Sequence, residues 1–95
     1  MMDKDRVEFR VHAVRRMFER GISSQDVRDV LRTGTIINDY MDDQPYPSRL
    51  VLGFANGRAL HVVVARNPED NTEIVITVYE PDKAVWESDL KRRRK

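Results

Sequence analysis

Along residues 11–34 the apolar side chains recur at a helical period, and along residues 35–80 the spacing shortens towards two. Val11, Val14, Met17 and Phe18 therefore predict an amphipathic helix over about Val11–Arg20, closed by Gly21. Ser23-Ser24-Gln25-Asp26 has the form of a capping box, and Val27, Val30 and Leu31 supply the apolar stripe of a second helix that stops at Gly34. The connection is so short that a helical hairpin is expected.

Past Gly34, Thr35–Tyr40 reads as a short strand and Met41–Ser48, with two Pro, as a loop. Arg49–Ala55 and Arg58–Arg66 read as strands joined by Asn56-Gly57, a dipeptide that tolerates positive φ at both central positions of a tight turn. Asn67–Asn71 is a second turn. Thr72–Glu80, rich in β-branched residues, is the most strand-like segment, and Pro81-Asp82 breaks it. The fold class is α+β: a two-helix hairpin packed on a four-stranded antiparallel sheet. Strict alternation puts Ile74, Ile76 and Val78 under the helices and Glu73, Val75, Thr77 and Tyr79 on the other, partly open face. Residues 1–90 read as one domain and residues 91–95 as a basic tail, with Trp86 capping the edge of the core.

The chain has 95 residues, which suits one domain with a modest core. It has no cysteine, so disulfide and thiolate chemistry are excluded. The longest apolar runs, Leu50–Leu52 and Val62–Ala65, fall far short of a membrane span, and Asp3, Lys4, Asp5 and Arg6 do not resemble a secretion signal. A soluble cytoplasmic protein with no membrane partner is expected. The net charge of +1 conceals a division: residues 1–32 carry +2, residues 33–90 carry −6 and residues 91–95 carry +5. Thirteen of the seventeen basic residues are Arg, whose planar fork suits phosphate and carboxylate. GC-rich codons and surface ion pairs would give the same bias.

Candidate chemistry begins on the first helix. His12, Arg16 and Arg20 form a row at i, i+4 and i+8, opposite the apolar stripe. One reading is a solvated face steadied by an Arg15/Glu19 pair. The other is a working face: His12 lies in the first turn, where the helix dipole disfavours the imidazolium, and a neutral imidazole beside fixed cations suits a general base near phosphate. If Asn56-Gly57 makes a two-residue turn, His61 lies opposite Leu52 and shares a face with Leu50 and Phe54. It is then a satisfied core histidine or a second acid/base group. Tyr79 and Thr77 share a face, where Tyr79 could stack on a base or meet a phosphate. No third ligand stands at a spacing that would let His12 and His61 bind a metal. No P-loop, dinucleotide fingerprint, nucleophile elbow or zinc-protease motif occurs, and no small-molecule cofactor is expected.

His12-Ala13, Arg16-Met17, Arg20-Gly21-Ile22, Val27, Leu31 and Gly34, with Leu60–Val63, Ile76–Tyr79 and Trp86, resemble the signature of the DUF4258 family over residues 9–93. The pattern departs at Arg10, where a capping Ser or Thr is expected. The resemblance implies a RelE-like fold, that of endoribonuclease toxins. It implies metal-independent RNA cleavage, in which the 2′-hydroxyl attacks the adjacent phosphate. His12, His61 and Tyr79 would be catalytic, and Arg16, Arg20, Arg66 and Thr77 would hold phosphate. RNA, on or off the ribosome, and an antitoxin protein are the implied partners. The alternative is a non-catalytic protein-binding module of a toxin–antitoxin system on the same fold.

Overall fold

The first helix, α1, spans Val11–Arg20 and ends where Gly21 turns left-handed at φ 66°, as its spacing predicts. The computed structural model describes residues 6–95, so Asp3, Lys4 and Asp5, whose charge argues against a secretion signal, lie outside the described residues. The N-cap residue Arg10 offers no side-chain bond to α1. The second helix, α2 (Ser24–Thr33), opens with the expected capping box: Ser23 accepts from the Asp26 N–H, and the Asp26 carboxylate accepts from the Ser23 N–H.

Three strands follow as the alternation predicts, β2 (Thr35–Tyr40), β3 (Ser48–Ala55) and β4 (Arg58–Arg66), and the last strand runs over Glu73–Tyr79. Asn56 and Gly57 take φ of 54° and 76°, which closes the β3–β4 hairpin in the expected register, Leu52 against His61 and Leu50 against Val63.

The sheet itself differs from the expectation. It has five strands and is mixed, because Val7–Phe9 forms a first strand, β1, that pairs in parallel with Glu73–Val75 of β5 (Glu73–Tyr79). The order is β1-β5-β4-β3-β2. Three residues are too few to show an alternation, and a parallel partner leaves no local turn signal. The helices also do not make a hairpin packed mainly on itself. α1 lies against β5 and α2 against β3, so each helix finds its own strand.

The faces of β5 are corrected too. The β4–β5 register shifts between Val63 and Val64: Val63 pairs with Thr77 and Val64 with Val75, so Ile76 is an extra residue. Such a bulge switches the face of everything on one side of it. Val75 and Val78, not Ile74 and Ile76, join Ala13, Met17, Val27, Val30, Val62 and Val64 in the core under the helices. Glu73 turns to the helix side with Val75, while Thr77 and Tyr79 stay on the reverse face.

That reverse face is covered around His61, while Phe54 on it stays 63% exposed. Trp86 is buried, pairs with Arg93 and sits edge-on to His61. Bonds from the Glu87 N–H to the Arg92 carbonyl and from the Arg94 N–H to the Val85 carbonyl, each 2.7 Å, fold Lys91–Arg94 back along residues 85–89. The basic end of the chain is thus part of the cover over the sheet.

Candidate functional site

The expected catalytic residues do not share one site. His61 is fully buried on the reverse face. Its Nε2 lies 2.7 Å from the Leu90 carbonyl and its Nδ1 3.2 Å from the Tyr79 hydroxyl. A carbonyl only accepts, so Nε2 carries the proton and Nδ1 accepts from Tyr79. Burial pushes the His61 pKa below its ordinary value, against the Leu90 bond, which raises it. Burial likewise pushes the Tyr79 hydroxyl up. Trp86 at 4.5 Å and Tyr79 at 5.2 Å pack edge-on against the imidazole. His61 is a satisfied core histidine.

His12, Arg16 and Arg20 are exposed on α1. The buried positions of α1 face Val75 and Val78, whereas Tyr79 and Thr77 face the other way. Among the described residues no hydrogen bond or ion pair links the α1 row to His61, Thr77 or Tyr79. Nor do Arg15 and Glu19 form the expected pair. The end of α1 is held instead by Arg58, which donates to the Arg20 and Gly21 carbonyls at 3.0 and 2.9 Å.

The remaining expected residue, Arg66, leads to a different place. Arg66 and Arg49 lie on the helix side of β4 and β3 and converge on Glu73 of β5. Arg49 Nη2 donates to Glu73 Oε1 at 2.8 Å, and Arg66 Nε and Nη2 meet Oε2 at 2.6 Å. The carboxylate is buried, and two guanidiniums share its one charge. Across from them α2 presents Gln25, Arg28 and Arg32, with Arg32 also donating to Asp29 at 3.2 Å. Val7 and Leu31 complete a cleft of about 590 Å³, a size common for ligand sites. Four Arg and one Glu line it, with Asp29 beside them paired to Arg32, so its lining carries more basic than acidic groups. Neither histidine lines it. The cleft can grip phosphate or carboxylate oxygens through planar forks. A second basic hollow, lined by Glu87 and residues 92–95, is formed by the folded-back end of the chain. Among the described residues no three His, Asp or Glu converge as metal ligands.

Sequence reasoning found Arg66 and missed Gln25, Arg28, Arg32, Arg49 and Glu73. The one-sided placing of Gln25, Arg28 and Arg32 along α2 was readable as a polar row. The Arg49–Glu73–Arg66 group was not, because it needs the register of three strands.

Residues 9–80 match a family described as a domain of unknown function, DUF4258. The chain belongs to the DUF4258 family. No curated protein and no solved structure matches it. The DUF4258 signature residues read in this chain divide into two groups. Ala13, Met17, Ile22 and Val27 are buried in the core, Gly21 supplies the left-handed cap, and Gly34 touches the β3 backbone. Packing accounts for all of these. It does not account for His12, Arg16 and Arg20, which are exposed. Trp86 lies past the matched span, yet it covers His61. No helix among the described residues is long and apolar enough to cross a membrane.

Proposed function

We propose that this DUF4258 protein binds RNA, or another phosphate polymer, through the cleft between α2 and the sheet, and that binding rather than cleavage is its primary act. The observation that carries this reading is the convergence of Arg28, Arg32, Arg49 and Arg66 on one cleft. Glu73 anchors two of them, so the forks are held in place before ligand arrives, which reduces the entropy lost on binding. Arg16 and Arg20 on α1 and the Arg-rich end of the chain on the reverse face are separate basic surfaces that do not line this cleft. Kinship with RelE-like RNase toxins belongs to the same proposal, supported by the order of two helices followed by an antiparallel meander.

Cleavage is the weaker form of the reading. Self-cleavage of RNA needs a base, an acid and cations around one phosphate. His61 is enclosed, and His12 stands on another element, so the two would not act together without rearrangement.

The test is binding of a fluorescent single-stranded RNA across a salt series. Wild-type affinity should fall steeply with salt. The Arg28→Ala/Arg32→Ala double variant should weaken binding and flatten the slope by about 0.7 for each phosphate no longer neutralised. Absence of binding at low salt, or a slope unchanged by the double variant, would sink the cleft as an RNA site and favour the protein-partner module. Gel analysis of the same RNA monitors cutting. Cleavage by wild type that disappears in His12→Ala would restore the ribonuclease reading.

A further inference from the structure

The floor of the cleft is ordered across the strands. Val7 of β1 stands beside Glu73 of β5, and Glu73 stands beside Arg66 of β4. In one line across three strands the lining therefore runs apolar, acidic, basic, over about 10 Å at the usual strand spacing. Val7 and Leu31 are half-buried and pack on the core, yet both line the cleft. Phosphate binding alone makes no use of this apolar patch. At the basic end, Glu73 takes up only part of each guanidinium. Arg49 is bonded through Nη2, and Arg66 through Nε and Nη2. Among the described residues nothing takes up Nε and Nη1 of Arg49 or Nη1 of Arg66.

We propose that the cleft takes one unpaired nucleotide of a single-stranded RNA, its phosphate on the open edges of Arg49 and Arg66 and the face of its base on Val7 and Leu31. This rests on the reading of the cleft as a phosphate site. A nucleotide carries both an anion and a flat apolar face within one unit, which is what the floor offers partners for. A duplex does not present that face: its bases are paired and stacked inside, so it brings phosphates and sugars to the cleft but no base to the patch. Inorganic phosphate would fill the basic end and leave Val7 and Leu31 bare. Arg28 and Arg32, on the α2 side, meet the neighbouring phosphates of the strand.

Covering about 60 Å² of apolar surface between a base and this floor corresponds to about tenfold in affinity. The base contact is thus a preference added to the attraction of charge. Unlike the phosphate contacts, it releases no counterions and does not weaken with salt.

Three fluorescent probes of equal strand length test it with the full chain: a single-stranded RNA, the same strand in a duplex, and a strand of abasic ribose phosphates. Wild type should bind the single strand about tenfold more tightly than the abasic strand, at low and moderate salt alike. It should also favour the single strand over the duplex, although the duplex carries more phosphates. Leu31→Asn and Val7→Thr keep every charge, and each should reduce the advantage of the single strand over the abasic one, with thermal melts confirming that the variants are folded. Arg66→Gln should instead weaken the single and abasic strands alike. Equal binding of those two strands by wild type overturns the proposal and leaves the phosphate site standing. So does a duplex that binds as well as the single strand, or an advantage that both Leu31→Asn and Val7→Thr preserve. An acidic peptide that outcompetes the single strand overturns it as well, and assigns the cleft to a protein partner. If no probe binds at low salt, the phosphate site itself falls, and the nucleotide site with it.

Discussion

Replacing His61 with Ala separates a structural histidine from a catalytic one. The imidazole is fully buried, and removing it opens a void of roughly 60 Å³, which at about 24 cal/mol per Å³ corresponds to about 1.4 kcal/mol. The Leu90 carbonyl, 2.7 Å from Nε2, loses its donor, at about 1–3 kcal/mol if water does not replace it. The edge-on packing with Trp86 and Tyr79 adds about 0.5–1.5 kcal/mol. The expected loss is therefore about 3–6 kcal/mol, a large part of what holds a domain of this size. Urea denaturation at pH 8 measures it. The pH dependence gives a second reading. Folding lowers the His61 pKa from its ordinary value of 6.5, chiefly by desolvation. The unfolded chain therefore takes up the proton first. His61 lowers stability as pH falls below 6.5 towards its folded pKa, and has no such effect above 6.5. His61→Ala should remove that part of the acid slope. A stability loss under about 1 kcal/mol, with the acid slope intact, would refute the buried, neutral assignment.

The bulge at Ile76 predicts an asymmetry. Val75→Asp places an unpaired charge in the core under the helices and should unfold the domain, whereas Ile76→Asp, at a half-buried position, should melt cooperatively with a smaller loss. A larger loss for Ile76→Asp than for Val75→Asp by thermal melt would restore strict alternation. Gly53→Ala should cost about 1–3 kcal/mol in urea denaturation, because its Cβ would meet Val30 Cγ1 at 2.8 Å and Val30 Cα at 3.1 Å. No loss there would mean that α2 does not ride on β3 as closely as the structure places it.

What could be read from the residues was what depends on neighbours in sequence. The extent of α1, the capping box at Ser23 and the Asn56-Gly57 turn each rest on a few adjacent residues. The turn then carried the β3–β4 register and placed His61 correctly. Errors entered where the deciding partner lies elsewhere in the chain. Val7–Phe9 is a strand because Glu73–Val75 runs beside it. Ile76 bulges to keep both Val75 and Val78 in the core. The apolar stripe of α1 misled for the same reason. Spacing shows which side chains share a face, but not how much of that face the body covers. Here Ala13 and Met17 are buried, while Val11, Val14 and Phe18 are left outside.

The candidate site lies away from the expected residues because a binding cleft has no local signature. Acid/base chemistry points to histidines, and each of the two has such a signature: one in a first helical turn, one opposite a tight turn. Arg28 and Arg32, by contrast, look like an ordinary polar edge of α2, and Glu73, inside a run of β-branched residues, looks like a solvent-facing strand position. Its burial is intelligible only with Arg49 and Arg66 alongside, since a lone buried carboxylate would be strongly disfavoured and one shared by two guanidiniums is not. Two guanidiniums on one carboxylate leave the group net cationic. The proposed phosphate binding rests on that charge, and His12, Arg16 and Arg20 stay exposed on α1, outside the cleft.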